Sequence, residues 1–246
     1  MNKIIICLIG IVAVFTSCMG SYDVKGSSSM SSLDGRMLYM KGEADDEMLN
    51  IDSCDILNGE FHFSGSLDTV KMVNLFIGEQ WLMPFVLEAG PIQISLSSTD
   101  NKVSGTPLND KLYKFLARRM QIHSQMEELS HQETQAIMNG EDVEELQMGL
   151  FRQAQDLTQE LDMLETSFIT ENFDNVLGPT IFQTICSAFQ YPMLTPQIED
   201  IMSRATPKFK NDPFVKDYYQ AAQTNMRLMQ GYDPQDLDNL PLESNQ

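Results

Sequence analysis

The sequence predicts an α+β protein in which an N-terminal antiparallel β-sandwich-like domain of about seven strands precedes an all-helical domain. Three observations lead to this prediction. Between residues 35 and 106, short apolar alternations are broken by turn residues, as in all-β structure. Within that region Asn58-Gly59 separates two alternating runs, and this pair is a strong signal for a tight hairpin. After Pro107 the apolar period changes from two residues to about 3.6, the period of an α-helix.

The two strands around Asn58-Gly59 are the clearest of the β-domain, residues 35–106. The two-residue loop would place Cys54 opposite Phe63 on the core face. On the other face it would place His62, which is expected at the surface rather than as a metal ligand. The expected strands cover residues 37–41, 50–57, 60–66, 70–77, 84–88, 91–96 and 102–105.

The helical domain, residues 107–230, is expected to begin with two long helices over residues 112–138 and 141–173. Asn139-Gly140 is a stop signal and gives a short loop, so the two helices should form a long antiparallel hairpin. The second helix has a coiled-coil-like apolar seam. Its positions are Val143, Leu146, Leu150, Ala154, Leu157, Leu161, Leu164 and Phe168.

Shorter helices are expected over residues 178–190, 195–204 and 212–230, separated by prolines. Asn109 or Asp110 can cap the first long helix. Residues 231–246 are acidic and contain proline, so they are expected to be a disordered tail.

The N-terminus has the layout of a secretory signal. Lys3 precedes the apolar run Ile4–Phe15, whose 12 residues would rise about 18 Å as a helix, against about 30 Å for a bilayer core. The following Thr-Ser-Cys18 resembles a bacterial lipobox, in which Cys18 is lipidated and becomes the first mature residue. Residues 1–17 are then a signal peptide, and residues 18–34 are the lipidated Cys and a flexible Ser/Gly tether. The alternative is an ordinary signal cleaved nearby, with Cys18 unmodified.

The charge of the chain limits its partners. It has 35 acidic and 16 basic residues, a formal net charge of −19. Such a chain repels phosphate backbones, so no nucleic-acid partner is expected. Clusters of Lys and Arg beside the signal are absent, and membrane attachment is therefore expected through the lipid anchor rather than through electrostatic docking.

Two cysteines remain after the signal and Cys18. Cys54 and Cys186 lie on predicted apolar faces, and they are expected to be buried free thiols. A disulfide between them is the alternative, because an envelope location permits one. Neither belongs to a C-x-x-C motif, the usual setting of a redox nucleophile.

No catalytic, cofactor or metal site is expected. Glu128-x-x-His131 has the spacing of a di-iron ligand pair, but neither His62 nor His123 supplies the second copy. A solvated helix face explains this motif better. The acidic residues around Asn58-Gly59 are three apart, whereas a calcium loop needs them two apart.

The sequence allows two interpretations for Trp81 and two for the methionines of the helical domain. Trp81 is expected to pack between sheet and helices, with a pocket wall as the alternative. The nine methionines from Met120 to Met229 are expected mainly to fill a helical core, and an adaptable partner-binding surface is the alternative.

Four sequence pieces, in order and spacing, resemble domain-of-unknown-function family 4369 over roughly residues 35–110. They are Met40-Lys41-Gly42, Leu57-Asn58-Gly59-Glu60-Phe61-His62-Phe63-Ser64-Gly65, Phe85-Val86-Leu87-Glu88-Ala89-Gly90 and Val103-Ser104-Gly105-Thr106-Pro107-Leu108-Asn109. The segment 171–178 (ENFDNVLG) is similar to the one that follows this domain in longer relatives. Those relatives are envelope thiol:disulfide interchange proteins that end in a thioredoxin-like domain. The resemblance implies their fold and compartment. It does not imply their activity, because this chain has no C-x-x-C and stops where that domain would begin.

The resulting expectation is a non-catalytic, lipid-anchored protein of the Gram-negative cell envelope, most simply on the periplasmic side. It would act as an interaction or accessory module with a protein partner in the envelope. One alternative is a docking component of a thiol-disulfide redox pathway that lacks its own redox domain. Another is a small-ligand binder, with the ligand between sheet and helices.

Overall fold

Two four-stranded sheets, packed face to face and followed by helices, make up residues 20–44, 47–140 and 143–231, which the computed structural model describes. The predicted α+β fold is confirmed, with eight strands in these ranges instead of about seven. The strands are β1 (Gly20–Ser28), β2 (Met37–Ala44), β3 (Glu47–Asp55), β4 (Glu60–Leu67), β5 (Lys71–Ile77), β6 (Gln80–Leu87), β7 (Gly90–Leu96) and β8 (Lys102–Ser104). The helices are α1 (Pro107–Asn139), α2 (Val143–Glu171), α3 (Leu177–Cys186), α4 (Pro196–Arg204), α5 (Pro207–Lys210) and α6 (Pro213–Met229). The predicted signal peptide, Cys18 and residues 232–246 of the predicted tail lie outside the described residues.

The first sheet has the strand order β4-β1-β7-β8, and the second has the order β3-β2-β5-β6. Alternate residues of the strands point between the sheets and form one apolar core, which includes Val24, Leu38 and Phe63. Neighbouring strands are antiparallel except β1 and β7, which are parallel with Val24 opposite Ile92. Because β1 and β7 are far apart in sequence, no tight turn constrains their relative direction.

The tether predicted over residues 18–34 is wrong for most of its length, because Gly20–Ser28 is an inner strand. β1 pairs with β4 on one side and β7 on the other, so hydrogen bonds hold both edges of its backbone. Tyr22 and Val24 alternate inward and are buried. The tether was predicted because Ser and Gly dominate the composition of this segment. The signal for a strand is instead the two-residue spacing of the apolar residues Tyr22 and Val24.

Two aromatic rings of this core lie directly on glycines of the neighbouring strand. Tyr22 on β1 covers Gly65 on β4, and Phe61 on β4 covers Gly26 on β1. A Cβ atom at Gly26 would lie 2.0 Å from Phe61 Cζ, and one at Gly65 would lie 2.6 Å from the Tyr22 hydroxyl oxygen. The Tyr22 hydroxyl also donates a 3.5 Å hydrogen bond to Asp52 on β3, which belongs to the other sheet. The absence of side chains at the two glycines is what lets these rings close the core.

The Asn58-Gly59 turn is confirmed, but the hairpin predicted around it is wrong. Both residues have positive φ, 53° and 76°, as a tight two-residue turn requires. The strands on either side then separate, because β3 pairs with β2 in one sheet and β4 pairs with β1 in the other. Ile56, just before the turn, exchanges backbone hydrogen bonds with Gly35 and Arg36. The turn is a corner at which the chain passes from one sheet to the other.

The five predicted helices are present, with ends that differ by a few residues, and the short helix α5 is an addition that was not predicted. α1 begins at Pro107 rather than at 112, because Thr106-Pro107 starts it, and it ends before Gly140, which has a left-handed φ of 70°. α3 ends at Cys186 rather than at 190. Three further helices start with a capping side chain followed by proline. The caps are Thr195, Thr206 and Asp212.

The helices pack on the outer face of the second sheet at β5 and β6. Met72 on β5 and Val86 on β6 lie opposite each other and pack with the helical core, whereas their neighbours Val73 and Phe85 point into the sandwich. Behind them lies an aromatic cluster centred on Phe182. The architecture therefore has three layers: sheet, sheet and helices.

The predicted long helix hairpin is present. α1 and α2 contact each other from a Phe115–Phe168 ring stack, 4.1 Å between centroids, to a 3.0 Å hydrogen bond between Gln147 and Glu133. The residues of this hairpin that join the helical core come from the start of α1 and the end of α2, so the rest extends away from the body. Among the described residues, no helix has the length and apolarity needed to cross a membrane.

We expect Gly26→Ala to lower the free energy of unfolding by about 1–3 kcal/mol, because the new methyl group would overlap the Phe61 ring. Gly149→Ala is the matched control. Gly149 lies inside α2 with nothing within 4 Å of an added Cβ, so alanine should raise stability by about 0.5–1 kcal/mol. Urea unfolding measures both changes. Equal effects of the two variants would contradict the packing of ring on glycine.

Candidate interaction surface

The side chain of Asn109, in the first turn of α1, joins the sandwich to the helices. Its Oδ1 accepts a 2.8 Å hydrogen bond from the Val86 N–H, and its Nδ2 donates a 2.7 Å bond to the Val86 carbonyl oxygen. β6 is an edge strand, so the Asn109 amide takes the place of a neighbouring strand. Both residues are fully buried, and these hydrogen bonds satisfy polar groups that would otherwise be costly to bury.

Glu88 fixes the start of α1 at the same place. Its carboxylate accepts hydrogen bonds of 2.9 and 3.1 Å from the backbone N–H groups of Leu108 and Asn109. These N–H groups have no partner within the helix, and a negative charge is favourable at a helix N-terminus. Further along α1, Tyr113 donates a 2.8 Å hydrogen bond to the Pro84 carbonyl oxygen. α1 therefore runs antiparallel along the edge of β6, away from Glu88.

Asn172 makes a similar connection at the end of α2. It is fully buried, and its Oδ1 accepts hydrogen bonds from Lys111 Nζ at 3.1 Å and from Asn175 Nδ2 at 2.9 Å. At the start of α3, Gly178 approaches so closely that a Cβ there would lie 2.4 Å from the Asn172 carbonyl oxygen. The segment 171–178 thus holds α1, α2 and α3 together.

A buried ion pair adds to this connection between α1 and α2. Glu165 on α2 is only 5% exposed and accepts a 2.8 Å hydrogen bond from Arg119 Nε on α1. The pKa of the neighbouring Asp162 is raised, first by partial burial and then by the charge of Glu165. The base of the hairpin is therefore held by specific polar contacts as well as by apolar packing.

The far half of the hairpin carries large apolar side chains that are exposed to solvent. Met138 is 81% exposed and Phe151 is 65% exposed. We call the exposed apolar residues near the loop the tip patch: Ile137, Met138, Met148 and Phe151. Six of the nine methionines from Met120 to Met229 are exposed, so the prediction that they mainly fill a core is wrong for most of them. The alternative interpretation, a surface that can contact a partner, fits their position better.

The same half of the hairpin is strongly acidic. Residues 120–160 contain nine acidic side chains, and Arg152 is the single basic residue in this stretch of sequence. Glu128, Glu133 and Asp156 are exposed or partly exposed on the two helices. The exposed apolar residues of the tip patch therefore lie in a stretch of strongly negative charge.

In the described part of the chain, neither of two hollows is lined by residues of both sheet and helices. A groove of about 530 Å³ runs between α1 and α2, with Leu129 and Leu157 at its floor and glutamines along its sides. The other hollow, about 720 Å³, is at the corner of the sandwich beside Cys54, His62 and Gln93. The alternative function of binding a small ligand between sheet and helices has no counterpart in these two hollows.

Both remaining thiols are free and shielded. Cys186 is buried in the helical core, and Cys54 is partly buried opposite Leu38 on β2 rather than opposite Phe63. Burial raises the pKa of the Cys54 thiol to about 11 and that of Cys186 to about 12. Because the thiolate is the reactive form, neither residue has the environment of a redox nucleophile.

The histidines and acids singled out in the sequence are scattered. His62 lies on the surface, where its Nε2 is 2.6 Å from Asp23 Oδ1 on β1, and hydrogen bonds from His62 and Lys25 lower the pKa of Asp23. Glu128 and His131 are exposed on α1. Within the described ranges, no group of three His, Cys, Asp or Glu side chains could hold a metal ion.

Trp81 does not pack between sheet and helices. It is 55% exposed at the start of β6, and its indole N–H donates a 2.8 Å hydrogen bond to Asn74. Val86, near the other end of β6, makes the contact with the helices instead. The expectation failed because Trp81 is at the end of the strand that lies away from the start of α1.

Together, these features define a β-sandwich domain from which the hairpin of α1 and α2 projects. The hairpin is attached at the edge strand β6 and at the turn that precedes α1. The family model of a domain of unknown function, DUF4369, matches residues 22–112, and this confirms the resemblance predicted for this part of the chain. The match includes β1, which lies outside the 35–110 range inferred from sequence, and it ends in the first turns of α1. The whole junction of Glu88, Thr106 and Asn109 therefore lies inside the family's domain. No curated protein matches the chain.

We expect Asn109→Ala to lower the free energy of unfolding by about 2–5 kcal/mol, because it leaves the buried N–H and carbonyl of Val86 without partners. Gln125→Ala, on the exposed surface of the same helix, is the control and should change stability by less than about 0.5 kcal/mol. Urea unfolding followed by circular dichroism measures both variants. An Asn109→Ala variant as stable as the control would rule out this role for the amide.

We expect both thiols to react slowly in the folded protein. At pH 8, Cys54 with a pKa of about 11 should be alkylated by iodoacetamide at least roughly 100-fold more slowly than after unfolding in guanidinium. Cys186 should be slower still, because its pKa is about 12 and it is buried. Peptide mass spectrometry measures each site separately, with the unfolded protein as control. Equal rates in the two states would contradict the shielding.

Proposed function

We propose that this is a lipid-anchored envelope protein without catalytic activity, which holds a partner protein on the projecting hairpin. Cys18 is the proposed lipidation site, and the membrane is contacted through that anchor. The compartment proposed is the Gram-negative cell envelope, on the periplasmic side. The partner surface proposed is the tip patch.

The tip patch is the observation that carries this proposal. Large apolar residues at the far end of a long hairpin are exposed to solvent, where they cost stability and invite association. They lie at the end that is farthest from the cores, so they contribute little to folding the body. A rigid base, fixed by Asn109 and Asn172, keeps the hairpin in a defined position.

The acidic surroundings of the patch narrow the class of partner. Nine acidic residues in 120–160 would repel an acidic protein and a nucleic acid alike. An envelope protein with an apolar contact surface and a basic rim fits both features. The redox-docking alternative has less support, because both thiols are shielded and have raised pKa values.

The experiment is photo-crosslinking in intact cells, with benzoylphenylalanine in place of Phe151. Phe151 is 65% exposed in the patch, and the substitution keeps an aromatic ring. Tyr191, which is 45% exposed and lies outside the hairpin, is the matched control position. We expect one discrete crosslinked protein at position 151, absent at 191 and strongly reduced by Cys18→Ala, which releases the chain from the membrane.

Support further requires that the captured protein, once purified, binds this chain directly. Binding should weaken by about tenfold or more in Phe151→Asp and should also weaken as salt is raised. Identical crosslinks at both positions, or none at 151, would overturn the partner assignment. An unacylated Cys18 in a protein that remains in the membrane fraction would overturn the anchor.

A further inference from the structure

The end of the sandwich at which β1 begins brings three turns together. Gly20 lies opposite Leu67, and a Cβ on Gly20 would lie 3.1 Å from Ala89 Cβ. Gly90 is close to Thr106, because a Cβ on Gly90 would lie 3.5 Å from Thr106 Cγ2. We call this surface the anchor end, and it comprises the turns at residues 68–70, 88–90 and 105–108.

We propose that the anchor end rests directly on the lipid surface and that the hairpin points away from it. This inference rests on the proposed lipidation of Cys18. Gly20 is already hydrogen-bonded into the sheet as the first residue of β1. Two residues of fully extended chain span at most about 7 Å, so an acylated Cys18 would hold this end of the sandwich against the headgroups.

A long tether would have allowed any orientation, and this is why the position of β1 matters. Sixteen flexible residues would span on average about 20–25 Å, comparable to the length of the sandwich strands. With β1 starting at Gly20, that freedom is removed. The body is joined to its anchor at one end of one strand.

The surface chemistry of the anchor end suits a lipid surface. Val70 is 41% exposed, and Ala89 and Pro107 are also exposed, which gives small apolar contacts. The charged residues here are mixed: Lys71 at the start of β5 lies three positions from Asp68, and Lys111, which donates a hydrogen bond to Asn172, follows Asp110 in α1. A bilayer surface of negative potential therefore repels this end less than it repels the acidic hairpin.

The hairpin, by contrast, is strongly acidic and extends away from the anchor end. α1 starts at the anchor end and runs antiparallel to β6, as the contacts of Asn109 and Tyr113 show. From Asn109 to Asn139 an α-helix rises about 45 Å, so the loop end of the hairpin would stand that far along the helix from the membrane. Its nine acidic residues in 120–160 are repelled by anionic headgroups, which favours the same orientation.

The test places a fluorophore at three surface cysteines in the full-length acylated protein, reconstituted in phosphatidylcholine–phosphatidylglycerol vesicles with a headgroup-spin-labelled lipid as quencher. Val70→Cys reports on the anchor end, and Met138→Cys reports on the tip patch. Glu79→Cys, in the turn after β5, is the matched control at the opposite end of the strand that Val70 precedes. Labelling at pH 7 favours these sites over Cys54, since a pKa of about 11 leaves it roughly 300-fold less thiolate than an ordinary cysteine.

We expect quenching at position 70 to exceed quenching at 79 and at 138 by at least about threefold. Equal quenching at 70 and 79 would mean that the body has no fixed orientation, and stronger quenching at 79 or 138 would mean the opposite one. Either result overturns the inference while leaving the anchor intact. If mass spectrometry shows Cys18 unacylated and the protein does not float with the vesicles, the proposed anchoring itself fails.

Discussion

The pairing of the Asn109 amide with the backbone of Val86 is the contact on which the arrangement of the whole molecule depends. β6 is an edge strand, and the amide satisfies its inner polar groups with the same two bonds that another strand would make. On either side of this pair, Glu88 accepts hydrogen bonds from the start of α1, and Tyr113 donates one to the Pro84 carbonyl oxygen. The direction of α1 therefore follows from the direction of β6. Because α2 packs along α1, the edge of β6 determines the position of the whole hairpin.

The core of the sandwich depends on contacts between aromatic rings and glycines, which the amino-acid composition does not reveal. Phe61 covers Gly26 on β1, and Tyr22 on β1 covers Gly65 on β4. The segment that looks like a linker therefore accepts one ring and supplies the other. The corner at Asn58-Gly59 then sends the chain into the other sheet. β1 is held between β4 and β7, and the family match includes it from Tyr22 onward.

The proposed accessory role rests on how the described residues are used. The described thiols are shielded, and the buried polar residues are used in structural contacts: Glu88 and Asn109 at the junction, Asn172 and Glu165 at the base. The exposed apolar residues collect instead at the far end of the hairpin, among acidic neighbours. In the proposed arrangement the sandwich is a base at the membrane, and the hairpin is an arm that carries the partner.

Local signals in the sequence determined the α+β class, the Asn58-Gly59 turn, the helix stop at Gly140 and the seam of the long hairpin. Each of these depends on residues only a few positions apart, where periodicity and turn chemistry act directly. Tertiary structure alone decided that β1 is an inner strand and that β3 and β4 belong to different sheets. It also decided that Asn109 pairs with a strand edge, whereas the helix cap predicted at Asn109 or Asp110 lies at Thr106. The positions of β1 and Asn109 depend on distant partners: Phe61 is 35 positions from Gly26, and Val86 is 23 positions from Asn109. No local pattern specifies which distant surface a side chain will meet.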